Sequence, residues 1–74
     1  METEDDSELV RRLFALMMMK LEDAATEASD GQDAHRSPSS QIARAARVAA
    51  LSREAQAIAE TIMVIGKAEG AGQG

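Results

Sequence analysis

The stretch SDGQDAHRSPSS, residues 29–40, is the clear interruption in an otherwise helix-forming chain, and its reading decides the fold. Gly31 is free to take the left-handed conformation that ends many helices. Asp30 and Asp33 suit turns. Ser37 followed by Pro38 reads as a cap and a first helical position, because proline lacks the N–H that this position leaves unbonded in any case. Ser39 or Ser40 would serve nearly as well as a start. The break is therefore a loop over 30–37, with one helix predicted over 7–29 and another over 38–66.

Upstream of the break, Val10, Phe14, Met17, Leu21, Ala24 and Ala28 recur at spacings of 4, 3, 4, 3 and 4. This is a heptad-like seam along one helix face. Leu9, Leu13 and Leu16 widen its first half into a broad stripe. Asp6 or Ser7 is placed to cap the start, with Glu8 in the favourable first turn. Downstream, Val48, Leu51, Ala55, Ile58, Ile62 and Ile65 recur at 3, 4, 3, 4 and 3, and Ile42 and Ala45 lead in with a slip of phase. Residues 41–59 are rich in alanine, arginine, glutamate and glutamine, all good helix formers. Gly66 or Gly70 is the expected end. Residues 1–6 read as an acidic disordered start and 67–74 as a disordered glycine-rich tail.

The predicted helices are about 35 and 43 Å long. A short connection between long helices favours antiparallel neighbours. Charge agrees: residues 1–33 carry ten acids and three bases, whereas 36–53 carry four arginines and no acid. An antiparallel hairpin brings Arg44 and Arg47 to the region of Glu22, Asp23 and Glu27, and Arg11 and Arg12 toward Glu60. Each exposed pair is weak, but a parallel arrangement would set like charges together.

Two helices meet along one line, and this pair has more apolar width than one line covers. An apolar patch of that kind marks an interaction site. The expected fold class is therefore all-α: an antiparallel two-helix hairpin that assembles into an oligomeric helical bundle or ring. Two hairpins make a four-helix bundle, and more make a ring in which each contacts a neighbour on either side. The expected oligomer interface comprises Leu9, Leu13, Phe14, Met17, Leu21, Leu51, Ile58, Ile62 and Ile65.

Candidate chemistry is sparse. The chain has no cysteine, which excludes disulfides and thiol catalysis. Met17, Met18 and Met19 point roughly 100° apart on a helix and cannot converge on one ion, so they read as core or interface filler. His35, the sole histidine, lies in the loop without an obvious partner. Adjacent acids such as Glu22 and Asp23 do not oppose one another across a pocket, and no glycine-rich phosphate loop is present. The reading is of a non-enzyme without cofactor or metal. A formal charge of −5 argues against broad binding to DNA, RNA or anionic membranes. No apolar run reaches transmembrane length, and the acidic start is unlike a signal peptide, so the expected location is the cytoplasm. Arg36, Arg44, Arg47 and Arg53 are the candidate contacts for a partner or for phosphates. Repeated around a ring they would make a positive surface, so nucleic acid is expected only through assembly.

These features point to a non-enzymatic oligomeric adaptor that binds a larger protein. The alternative is a small regulatory protein whose apolar face masks a target helix. SELVRRLFALMMMKLEDA followed by SSQIARAARVAALSREAQAIAETI also resembles the oligomerisation region of small terminase subunits in tailed phages, over residues 8–66, in its long hairpin and its alanine–arginine pattern. That resemblance implies a ring that recruits the large terminase subunit and assists DNA packaging. The helix-turn-helix domain common in that family has no counterpart within these 74 residues, so DNA recognition does not carry over with the resemblance.

Overall fold

The computed structural model describes residues 2–33 and 35–73, and their side chains over 6–33 and 35–69. Two helices, α1 (Glu2–Gly31) and α2 (Pro38–Gln73), run antiparallel as a hairpin. The expected start of α2 at Pro38 is observed. The Ser37 hydroxyl accepts from the Ser40 N–H at 3.2 Å, and the Gln41 N–H donates to the Ser37 carbonyl at 3.0 Å. Ser37 is thus the N-cap and Pro38 the first helical residue.

Both helices extend past the predicted bounds. Helical backbone occupies 2–6 and 67–73, where the sequence predicts no fixed structure; Met1 and Gly74 lie outside the described residues. Asp6 and Ser7, the expected caps, lie inside α1 instead. At the other bounds, no described glycine takes a positive φ, so Gly66 passes within α2 as an ordinary helical residue. Gly31 likewise ends α1 without the left-handed turn. The Gln32 N–H bonds the Ser29 carbonyl at 3.1 Å and the Asp33 N–H bonds the Asp30 carbonyl at 3.3 Å, the tighter i→i+3 pattern of a fraying end. Arg36 completes it by donating from Nε to the Asp30 carbonyl oxygen at 3.1 Å.

The α2 seam runs as its spacing predicts. Leu51 and Ala55 are each 5% exposed, and Val48, Ile58, Ile62 and Ile65 are half-buried. Half-buried Arg44 precedes them one turn earlier, and Ile42 faces away at 70% exposure. The α1 seam differs from expectation. Its inward line is Val10, Leu13, Met17, Lys20, Ala24 and Glu27, whereas Phe14 is 51% and Leu21 50% exposed and Ala28 is exposed. The helix is turned by roughly 40° from the predicted face. Ion pairs explain the turn, because Lys20 and Glu27 must lie beside α2 to reach Glu54, Arg44 and Arg47.

These pairs also fix the level of one helix against the other. Lys20 stands level with Glu54 and Glu27 with Arg47, which puts Leu51 beside Ala24 and Ala55 between Met17 and Lys20. Large side chains meet small ones there, so the backbones approach closely and these three residues are the buried ones among those described. The resulting rod measures 55 × 16 × 12 Å. Its radius of gyration is 17.0 Å, against about 11 Å for a compact chain of this length.

Replacing Leu51 by alanine removes the largest buried side chain at the closest approach. The expected loss is about 2–3 kcal/mol in urea unfolding followed by helical circular dichroism at fixed protein concentration. Ile42→Ala, on the exposed side, should change stability by less than about 0.5 kcal/mol. Equal effects would contradict the observed packing.

Candidate interaction surface

Several large apolar side chains lie exposed on the molecular surface. Leu9, Phe14, Leu16, Met18, Met19 and Leu21 on α1, and Ile42, Met63 and Val64 on α2, are all more exposed than buried side chains of their size should be. The total accessible area is 5495 Å², whereas a compact protein of 7.9 kDa exposes about 4,400 Å², a surplus of roughly 1,100 Å².

The seam divides this surface into two faces. In an antiparallel pair, residues that follow a seam position lie on the same side of both helices, and residues that precede one lie on the other. A shallow cleft of about 400 Å³ confirms the pairing: Ala28, Gln41 and Ala45 line it together with the seam residues Glu27, Gly31, Arg44 and Val48. The following face contains Phe14, Met18, Leu21, Ala25 and Ala28 from α1, with Ala45, Ala49, Ser52, Gln56, Ala59 and Met63 from α2. None of these side chains carries a charge; Arg11, which follows Val10, stands at the open end of the same face. The preceding face mixes Leu9, Leu16, Met19 and Val64 with Arg12, Asp23, Arg47 and Glu54.

The inter-helix ion pairs flank the seam on that second, mixed face. Lys20 Nζ lies 2.8 Å from Glu54 Oε1. Glu27 receives Arg44 Nη1 at 3.0 Å and Arg47 Nε at 3.0 Å, and Arg44 also reaches Asp30 Oδ2 at 3.3 Å. Arg44 Nε is buried without a hydrogen-bond partner, which offsets part of what the two carboxylates contribute. At the open end Arg11 and Arg12 pair with Glu8 on their own helix, at 3.7 and 3.3 Å. Glu60 accepts from Gln56 at 3.1 Å. The expected link from Arg11 and Arg12 to Glu60 is therefore replaced by contacts within each helix.

The predicted site residues separate accordingly. Leu13, Met17, Leu51, Ile58, Ile62 and Ile65 belong to the hairpin's own seam, while Leu9, Phe14 and Leu21 face outward. Arg36, Arg44 and Arg47 are engaged in closing the hairpin. Arg53 is exposed and has no ion-pair partner among the described residues. The sequence-predicted interface omits Met18 and Met63, which flank Phe14 and Leu21 on the uncharged face. A search for a second heptad seam one residue beyond the first would have found Phe14, Met18, Leu21, Ala25 and Ala28. His35 is exposed, its N–H bonding the Asp33 carboxylate at 2.9 Å. Among the described residues, no group of three or more His, Cys, Asp or Glu is placed to hold a metal, and no helix is long and apolar enough to cross a membrane.

Two carboxyls respond to pH in opposite senses. The hydrogen bond and charge of Lys20 hold Glu54 below its ordinary value of 4.5. Its contribution is present above 4.5 and is lost as pH falls through the lowered value. Glu69 is raised above 4.5 chiefly by its hydrogen bond with Asp6 at the open end. It favours the folded hairpin as pH falls through the raised value toward 4.5. In urea midpoints measured across this range, Glu69→Gln should remove a small rise in stability on acidification. Glu54→Gln should remove a fall that sets in at lower pH. Identical pH profiles for all three proteins would contradict both assignments.

No family model, curated protein or solved structure matches this chain.

Proposed function

We propose that the protein is a non-enzymatic helical adaptor that associates with copies of itself and presents the assembled surface to a larger protein. The observation that carries this reading is the surplus of accessible area together with nine exposed large apolar side chains on both sides of a seam only one side chain wide. An apolar surface of that extent on a slender hairpin favours association, because its removal from water is worth roughly 25 cal/mol per Å². Self-association comes first in this reading, since it joins two identical apolar faces without requiring a second gene product.

The arginines favour a protein partner over nucleic acid. Three of the four candidate phosphate contacts are committed to carboxylates or to a carbonyl within the hairpin. The remaining Arg53 sits on a chain of net charge −5. The terminase-like alternative shares the self-association but adds a DNA-packaging role, and the arginine placement gives that addition little support.

Size-exclusion chromatography with light scattering tests the reading. The expected mass at about 50 µM is at least twice that of the chain, with loss of helical signal on dilution because folding and association are linked. A helical species of 7.9 kDa across the whole concentration range would overturn it.

A further inference from the structure

The two faces of the hairpin are not equivalent, and the difference specifies how copies meet. We propose that the uncharged face closes on a second copy of this chain, α1 of each against α2 of the other, with the two-fold axis along the length of the hairpin. The result is a four-helix bundle in which every neighbouring pair of helices is antiparallel. This inference rests on the self-association reading and adds to it the face, the copy number and the register.

Size complementarity selects the pairing. Rotation about the long axis leaves every residue at its own level. The levels fixed by Lys20–Glu54 and Glu27–Arg47 then place Phe14 opposite Ala59 and Met63 of the second copy, Met18 opposite Gln56, and Leu21 opposite Ser52. Farther along, Ala25 and Ala28 meet Ala49 and Ala45. Phe14 then meets the small Ala59 and Leu21 the small Ser52, while the flexible Met63 lies beside Phe14 and Met18 lies against Gln56. The other two-fold arrangement, with its axis across the hairpin, stacks α1 on α1 and α2 on α2. With that axis at the middle of the rod, Phe14, Met18 and Leu21 of one copy lie against the same three residues of the other, and Ala59 and Ser52 no longer receive Phe14 and Leu21.

Charge at the rim agrees. Glu22 and Arg53 project from the outer edge of the uncharged face, are exposed, and have no ion-pair partner among the described residues. In the proposed dimer Glu22 stands level with Arg53 of the second copy. Arg11 comes within one turn of Glu60 of the second copy. Both contacts are attractive and each occurs twice by symmetry. The amount of surface is also right. A surplus of roughly 1,100 Å² per chain is close to the ~800 Å² that each partner buries in a standard interface.

Cysteine cross-linking reads the register directly, because the natural chain has no cysteine. Met18→Cys and Gln56→Cys are made singly and together, oxidised, and run on non-reducing gels, with circular dichroism confirming helical content. Within one hairpin these side chains diverge on opposite outer edges, too far apart for a disulfide. The expected result is a covalent dimer from the double variant and none from either single one. A dimer from Met18→Cys alone would establish α1 against α1 and overturn the register. A ladder of larger species would replace the closed pair with a ring, and would also overturn it. An assembly that cross-links in no variant would overturn the face while leaving self-association standing, whereas a monomer at every concentration would remove both. Charge exchange gives an independent reading. Glu22→Arg and Arg53→Glu should each weaken the dimer about tenfold in sedimentation equilibrium, and the two together should recover most of the loss. Deepened loss in the double variant would overturn the Glu22–Arg53 contact.

Discussion

Two helices in contact share a line, and everything else in this molecule follows from how little a line can hide. Each helix contributes one residue in every three or four to the contact, and the rest of its circumference meets water or another chain. A polar circumference would leave a solvated hairpin of marginal stability. Here α1 is apolar over much of its circumference between Leu9 and Leu21, and a rod 12–16 Å thick has no interior in which to place those side chains. The proposed association would couple folding and surface burial to the presence of more protein.

The contact line itself is chosen by charge as much as by apolar pattern. Apolar packing alone would accept either of two α1 seams one residue apart, one through Leu13 and Met17 and one through Phe14 and Leu21. The first seats Lys20 and Glu27 next to α2, where they meet Glu54, Arg44 and Arg47. The second would turn those carboxylate and ammonium groups away from their partners. Exposed pairs are individually weak. Five partners sharing one side of one seam nevertheless discriminate between alternatives that are otherwise nearly equal, and the long stem of Lys20 covers apolar surface while its head pairs. The phase chosen leaves Phe14, Met18 and Leu21 together on the uncharged face.

This explains which parts of the structure were readable in the residues. The break, the Ser37–Pro38 cap, the antiparallel sense and the α2 seam all follow from local chemistry with little competition. On α2 the spacing of the large aliphatics Val48, Leu51, Ile58, Ile62 and Ile65 identifies the inward line, because alanines fill most of the remaining apolar positions. On α1 too many stripes qualify, and counting apolar residues discards Lys20 and Glu27, the side chains that decide. The predicted pairing of Arg44 and Arg47 with Glu27 was recoverable from charge segregation, but its consequence for the rotation of α1 required the level of one helix against the other. The helix ends were misjudged for a different reason. Glycine permits a left-handed stop without imposing one, and Gly66 keeps a negative φ and continues α2.

The distribution of side-chain size along the hairpin gives the assembled surface its polarity. On the uncharged face the positions nearer the loop include the alanines Ala25, Ala28, Ala45 and Ala49, and those nearer the termini include Phe14, Met18 and Met63. Helices lined by alanine approach closely, while phenylalanine and methionine hold them apart. A bundle built from such hairpins in parallel register is narrow at the loop end and wide at the end where the chain termini emerge. The wide end also holds the Asp6–Glu69 carboxyl pair. Like-charged groups there oppose close approach at neutral pH, whereas the arginines at the loop end are already neutralised inside each hairpin. In the proposed dimer cohesion would be concentrated in the apolar middle of the rod, between Phe14 and Leu21 on one helix and Ser52 and Met63 on the other. The flexible thioethers of Met18 and Met63 sit in that stretch, where the spacing between helices changes most and adaptable side chains fill the changing gap.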